Sequence, residues 1–211
     1  MNILYAGTPN SSAEILKSLI ENSSINVKGV ITQPDKAGKR GKKLDESPVS
    51  LLANSYDLAL FKPETLNDAC FKEKIEILEI DFLIVVAYGK ILPKWLLKLP
   101  SLSSINIHFS LLPKYRGASP IQSALLSGEK ETGITFIEMS EKLDTGDIIS
   151  AEKTKICEDD NKIKLEARLT RLSIKKINEV LRDLTKQKKT LIKQNNASAS
   201  YCQKILKVGK H

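Results

Sequence analysis

Apolar positions open the chain as an unbroken run, Ile3-Leu4-Tyr5-Ala6, and then spread to helical spacing at Ala13, Ile15, Leu16, Leu19 and Ile20. The pattern changes at Gly7-Thr8-Pro9, which predicts strand, loop and helix with Ser11 or Ser12 as N-cap. Val27 to Thr32 predicts a second strand, closed by Gln33-Pro34-Asp35. Residues 36 to 46 are polar, glycine-containing and cationic without any period, so they predict a long exposed loop. Pro48 is placed at the first turn of a helix carrying Val49, Leu51, Leu52 and Ala53. Leu58 to Phe61 reads as a short strand and residues 67 to 79 as another helix. Phe82 to Ala87 is a continuous apolar run rich in β-branched residues, as expected of a strand buried on both faces of a parallel sheet.

The second half continues the alternation. Ser104 to His108 predicts a strand, Pro120 to Leu126 a helix, and Gly133 to Met139 with Asp147 to Ile156 a pair of strands joined by a turn. Leu165, Leu169, Leu172, Ile177, Val180, Leu181 and Leu184 form the stripe of a long amphipathic helix. The expected fold is therefore α/β, a mostly parallel sheet with helices on both faces. In such sheets ligands bind beyond the carboxyl ends of the strands, where Tyr88-Gly89 and His108 fall. Beyond Leu184 the apolar period is lost and residues 186 to 200 are polar and lysine-rich. One domain over residues 1–185 is expected, followed by a basic, linker-like tail over 186–211 with no second core.

Composition narrows the function classes. Hydrophobic content of 41% with 27% charged residues over 211 residues is that of a globular chain. No apolar run approaches the roughly 20 residues that span a bilayer, and the opening residues lack a leader's basic and apolar regions. No membrane partner and a cytoplasmic location are expected. Cys70, Cys157 and Cys202 are odd in number and lack ligand spacing, which argues against a disulfide framework and a metal site. The net charge of +8 is unevenly placed: residues 1 to 152 carry −2, residues 153 to 211 carry +10. A polyanionic partner at the C-terminal segment and a solvated lysine-rich helix both fit that asymmetry.

Only two histidines are present, and His211 is terminal. Asn106 and His108 are two apart on an expected strand and so share a face, an arrangement suited to an oxyanion donor beside an acid/base group. A satisfied buried polar pair has the same spacing, and the two readings stay open on spacing alone. Gly38 and Gly41 lack P-loop spacing and Lys42 is followed by Lys43, not Ser or Thr; no Gly-x-Gly-x-x-Gly follows the first strand. A nucleoside triphosphate or dinucleotide is not expected.

The segment Asn106-x-His108-x-Ser110-Leu111-Leu112-Pro113-x-x-Arg116-Gly117, followed by Asp144-Thr145-Gly146-Asp147, resembles enzymes that use 10-formyltetrahydrofolate as formyl donor. Ala6-Gly7-Thr8-Pro9, Thr32-Gln33-Pro34-Asp35, Arg40-Gly41-Lys42-Lys43-Leu44, Ser47-Pro48-Val49, Val86-Ala87-Tyr88-Gly89 and Thr132-Gly133-Ile134-Thr135 are similar to the methionyl-tRNA formyltransferase family. The resemblance runs from about residue 2 to about residue 206. It implies the Rossmann-like formyltransferase fold and formylation of initiator methionyl-tRNA; a monomer without metal is expected. Asn106 would be the oxyanion donor, His108 the acid/base group and Asp144 the carboxylate that orients it. It further implies a folate pocket lined by Ser110, Leu111, Leu112 and Pro113, with Tyr88, Ile91 and Leu92 as apolar walls. Arg40, Lys42 and Lys43 would contact tRNA phosphates. Phe109 departs from the family's smaller residue, and strand alternation turns its ring away from His108. Gln194 to Ile205 resembles the linker into a β-barrel domain, which this chain is expected to lack. The alternatives are a formyltransferase for a small amine such as an amino-sugar nucleotide, a formylfolate hydrolase, and an inert RNA-binding homologue.

Overall fold

The computed structural model describes residues 1–36, 44–188 and 190–205. The candidate tRNA contacts Arg40, Lys42 and Lys43 lie outside the described residues. Strand β1 (Asn2–Gly7) leads into helix α1 (Asn10–Ile20), followed by β2 (Asn26–Ile31), α2 (Pro48–Ser55), β3 (Leu60–Phe61), α3 (Ala69–Glu76) and β4 (Phe82–Val86). A short helix α4 (Lys94–Leu97) precedes β5 (Ser103–His108). Then come the two-residue β6 (Arg116–Gly117), α5 (Pro120–Leu126), β7 (Glu131–Glu138), β8 (Ile148–Lys155), the long α6 (Lys162–Thr185) and β9 (Tyr201–Cys202).

The main sheet has the order β3-β2-β1-β4-β5-β7-β8, parallel from β3 to β5 and antiparallel from β5 to β8. The chain leaves β1 toward β2 on one side and returns to β4 on the other, so the strand order reverses beside β1, where crevices form at the strands' carboxyl ends. Alternation sorts side chains onto two faces. Ile3, Tyr5, Ile84, Val86, Ile105, Ile107 and Phe109 belong to a core cluster with α1, α2, α5 and α6. Leu4, Ala6, Leu83 and Val85 belong to a second cluster with Phe71, Ile75 and Leu96 of α3 and α4. On that second face β5 carries Ser104, Asn106 and His108; Ser104 and Asn106 are in register with the apolar Leu83 and Val85 of β4, and His108 with Thr135 of β7. Phe109 packs into the first cluster, away from His108, as strand alternation requires.

Two local expectations change. Helix α1 starts at Asn10, and Ser11 and Ser12 lie inside it, both buried, with no side-chain cap. They serve the core instead: Ser12 Oγ is 2.9 Å from the Tyr5 hydroxyl and Ser11 Oγ donates to Glu166 at 2.8 Å. Ser47 does cap α2, accepting from Ser50 N, with Pro48 in the first turn. The second change concerns the chain after α6, expected as a linker-like arm. Ile192 forms an antiparallel bridge with Ile148, and β9 pairs in parallel with β6. Its apolar content is too low to signal this, because backbone pairing and polar side chains hold it. Lys162, Lys164 and Arg168 of α6 form ion pairs with Glu166, Asp159 and Asp160, carboxylates already counted in the +10, while Lys176 pairs with Glu152 of β8, outside that segment.

Candidate active site

The site lies at the carboxyl ends of the parallel strands. Thr8, after β1, donates to the Tyr88 carbonyl at 3.0 Å, and Gln33, after β2, donates to the same oxygen at 2.7 Å. Three strand ends are thereby tied at one atom. Gly89 is required beside it: its φ is +83° and a Cβ there would sit 2.5 Å from Gln33 Nε2.

Asn106 and His108 project from the end of β5 toward the turn at Asp144. Asn106 Nδ2 donates to Asp144 Oδ1 at 3.2 Å, and the Gly117 N–H donates to Asp144 Oδ2 at 2.8 Å. His108 Nδ1 is 3.6 Å from that same Oδ2, with both side chains nearly buried. His108 Nε2 lies 2.8 Å from the Tyr115 carbonyl. A carbonyl oxygen only accepts, so Nε2 carries a hydrogen there, and Nδ1 is the ring nitrogen that faces the carboxylate. Asn106 retains a second amide hydrogen for a ligand. Side chains up to 38 positions apart in sequence thus form one polar group.

Backbone strain collects around it. Ala87 (φ +48°), Tyr115 (φ +59°) and Asp144 (φ +53°) adopt the left-handed region without being glycine, and Gly117 sits at φ +118°. Gly146 is needed two residues beyond Asp144, because a Cβ there would fall 1.6 Å from the Glu138 carbonyl oxygen. Asp147 contributes its backbone carbonyl, which accepts from Glu138 N at 2.9 Å.

The candidate folate residues separate into two groups. Ser110 is fully buried and donates from Oγ to the Lys114 carbonyl at 2.6 Å, while Thr135 Oγ1 donates to the Ser110 carbonyl and accepts from Leu112 N. These bonds fix the strip from Ser110 through Leu111 and Leu112 to Pro113 against β7. Tyr88 and Leu92 are buried in the second core cluster, and Ile91 is 83% exposed, beside Lys90 and Pro93 on a surface hollow. The Tyr88 hydroxyl is buried with no hydrogen-bond partner among the described residues, and burial pushes its pKa up to about 12.

Sequence reasoning did not single out Thr135, Arg116, Gly117 or Gln194. Thr135, Arg116 and Gly117 stand inside the quoted motifs, but only the fold shows their contacts. Gln194 stands at the start of the linker-like stretch, which carries no sign of a contact to the turn at Asp144.

The formyl transferase family model matches residues 1–181, and the chain belongs to that family. It is 43% identical over 207 residues to the methionyl-tRNA formyltransferase of Kosmotoga olearia and 44% identical to that of Nitrosomonas eutropha, each match covering 98% of this chain. The chain spans 66% and 65% of the length of these two relatives. Among solved structures, it is similar to glycinamide ribonucleotide transformylase 1 from Symbiobacterium toebii, with TM-score 0.74, 17% identity, and coverage of 92% of this chain and 94% of that one. An N-formyltransferase from Helicobacter canadensis, solved with folinic acid and dTDP-3-aminofucose, matches with TM-score 0.72 and 21% identity over 95% of this chain and 70% of its own. At these identities the likeness is one of fold.

Proposed function

We propose that this chain carries the catalytic unit of a methionyl-tRNA formyltransferase, acting in the cytoplasm and moving the formyl group of 10-formyltetrahydrofolate to the amino group of initiator methionyl-tRNA. The observation that carries this reading is the joining of Asn106, His108 and Asp144 by short contacts, in a chain over 40% identical to proteins of that name along nearly all its length.

Bound 10-formyltetrahydrofolate supplies an electrophilic formyl carbon. Asn106, held by Asp144 through one amide hydrogen, directs the other at the formyl oxygen, where negative charge develops as the amine attacks. A donor of this kind contributes roughly 10²- to 10³-fold in rate. His108 Nδ1 delivers a proton to the departing nitrogen, and Asp144 orients the ring and helps draw the proton from the attacking amine. The Ser110 to Pro113 strip, fixed by Thr135, lines the folate side, with Tyr88, Ile91 and Leu92 as further walls. Donor chemistry fits this set: the pyrimidine ring of a reduced pterin is flat and edged with N–H groups, and the Tyr88 hydroxyl, without a partner among the described residues, is an acceptor in an apolar setting. Arg40, Lys42 and Lys43, which stand in the sequence between the paired Lys36 and Asp45, would carry the charge that meets tRNA phosphates.

The test is formyl transfer from labelled 10-formyltetrahydrofolate to methionyl-tRNA, with dTDP-amino sugar and glycinamide ribonucleotide as competing acceptors. The reading requires methionyl-tRNA to be the preferred acceptor; preference for either small amine refutes it. Formate release without any acceptor would identify a hydrolase instead.

A further inference from the structure

Arg116 is the largest side chain among the described residues that is almost wholly buried, at 1% exposure, and no carboxylate among them pairs with it. Its partners are neutral and all come from the segment after α6. Nε and Nη2 donate to Gln194 Oε1 at 3.1 and 2.7 Å, Nη2 donates to Asn196 Oδ1 at 2.9 Å, and Nη1 donates to the Tyr201 hydroxyl at 3.2 Å. The guanidinium also lies over the Tyr201 ring, 5.9 Å from its centre.

Gln194 faces two ways. Its Nε2 donates to the backbone carbonyls of Asp144 and Gly146, at 2.8 and 2.7 Å. The amide orientation is forced, because the guanidinium offers only donors and the two carbonyls only acceptors. Every hydrogen-bonding position of the side chain is used. A cation on the oxygen side polarises the amide and strengthens both N–H bonds. Those bonds grip the two ends of the left-handed turn that carries the Asp144 carboxylate, while Gly117, the next residue after Arg116, grips the carboxylate itself.

We propose that Arg116 and Gln194 are positioning residues, a latch by which the chain after α6 fixes the Asp144 carboxylate beside His108. The segment from Ile192 to Cys202 is then part of the active site and not a spacer leading away from it. This rests on Asp144 having the catalytic role given above. Docking of the segment itself has separate supports: Ile192 bonds to Ile148 in both directions, Arg116 N donates to Ser200 O at 2.8 Å, and Ala118 N donates to Cys202 O at 3.1 Å. Latching and docking can therefore be separated by substitution.

Gln194→Glu does so. One carboxylate oxygen keeps and strengthens the contact to Arg116, while the other meets two carbonyl oxygens and repels them, so the segment stays docked and the turn is released. Gln194→Met is the companion variant, leaving both carbonyls without a donor and adding no charge. Two readouts are taken on the full chain: steady-state formyl transfer, and hydrogen exchange of the Arg116 and Gly117 amides. Displacing a catalytic group by about 1 Å costs about 100-fold, so kcat should fall by about that factor with KM for the folate within about threefold of the parent. The Gly117 amide, bonded to Asp144, should exchange at least about tenfold faster while the Arg116 amide, bonded to Ser200, keeps its protection. Equal loss of protection at both amides, or kcat within about threefold of the parent in both variants, overturns the latch. If the parent transfers no formyl group, the function proposed above fails, and the exchange of the two amides alone still decides whether the latch exists.

Discussion

Asp144→Asn isolates what the carboxylate contributes, because asparagine has almost the same shape and tolerates the φ of +53° found at this position. Both oxygens of Asp144 accept from N–H groups, Oδ1 from Asn106 and Oδ2 from Gly117, and the side chain is only 8% exposed. An amide has a single acceptor oxygen. Whichever way the substituted amide turns, one N–H group faces another, and a buried donor left without its partner costs about 1–3 kcal/mol. The charge opposite His108 Nδ1 disappears at the same time, and that loss acts on the reaction. In hydrolases that orient a histidine with a carboxylate, the same exchange lowers kcat by about 10⁴, so a fall of about 10³- to 10⁴-fold is expected here. Two assays separate the effects: urea unfolding for the hydrogen bond and formyl transfer at saturating folate for the charge. Stability loss without a rate loss beyond about tenfold would refute the role of Asp144 in the reaction and leave it a structural residue.

Thr135→Val removes the hydroxyl that bonds both Ser110 O and Leu112 N, so it should destabilise the protein by about 1–3 kcal/mol and raise KM for the folate more than it lowers kcat, as measured by unfolding and steady-state kinetics. Tyr88→Phe deletes a buried hydroxyl without a partner among the described residues and is expected to leave stability equal or higher. Burial raises the Tyr88 phenol to about 12 from the ordinary 10.0. The native state therefore holds that proton more tightly than the unfolded chain, and the stabilisation is complete below about pH 10 and is lost as pH rises from 10 to 12. Alkaline unfolding curves should show this loss in the parent and less of it in Tyr88→Phe. At the other end of the pH scale, hydrogen bonds from Arg168 hold the Asp160 carboxyl below the usual carboxylate range. Its contribution is complete above the ordinary carboxylate value, near about pH 4, and is lost as pH falls through the depressed one. Asp160→Asn should cost about 1–2 kcal/mol at neutral pH and flatten acid unfolding below about pH 4.

The parts of this fold held by apolar periodicity were readable from the chain. Phe82 to Val86 is a two-sided apolar run because the strand is central, and α6 shows its stripe because one face covers the sheet. Asn106 and His108 were recognisable as sharing a face because strand alternation is rigid. What brings Asp144 to them is different in kind: a left-handed turn, a glycine whose Cβ would strike the Glu138 carbonyl, and the N–H of Gly117. None of these has a periodic signature. Serine favours helix starts, which makes Ser11 or Ser12 the expected cap, but hydrogen bonds to Glu166 and Tyr5 hold both inside the helix. The docked segment from Ile192 to Cys202 was illegible for the same reason, since Gln194, Asn196 and Ser200 look like linker residues until their partners are known.

The proposal that Asn106, His108 and Asp144 carry out formyl transfer is tested most directly by single-turnover transfer from labelled 10-formyltetrahydrofolate to initiator methionyl-tRNA by the parent and by His108→Ala. The account predicts a fall of about 10²- to 10⁴-fold in the transfer rate, with folate affinity within about threefold of the parent. Transfer at the parent's rate by His108→Ala would contradict it.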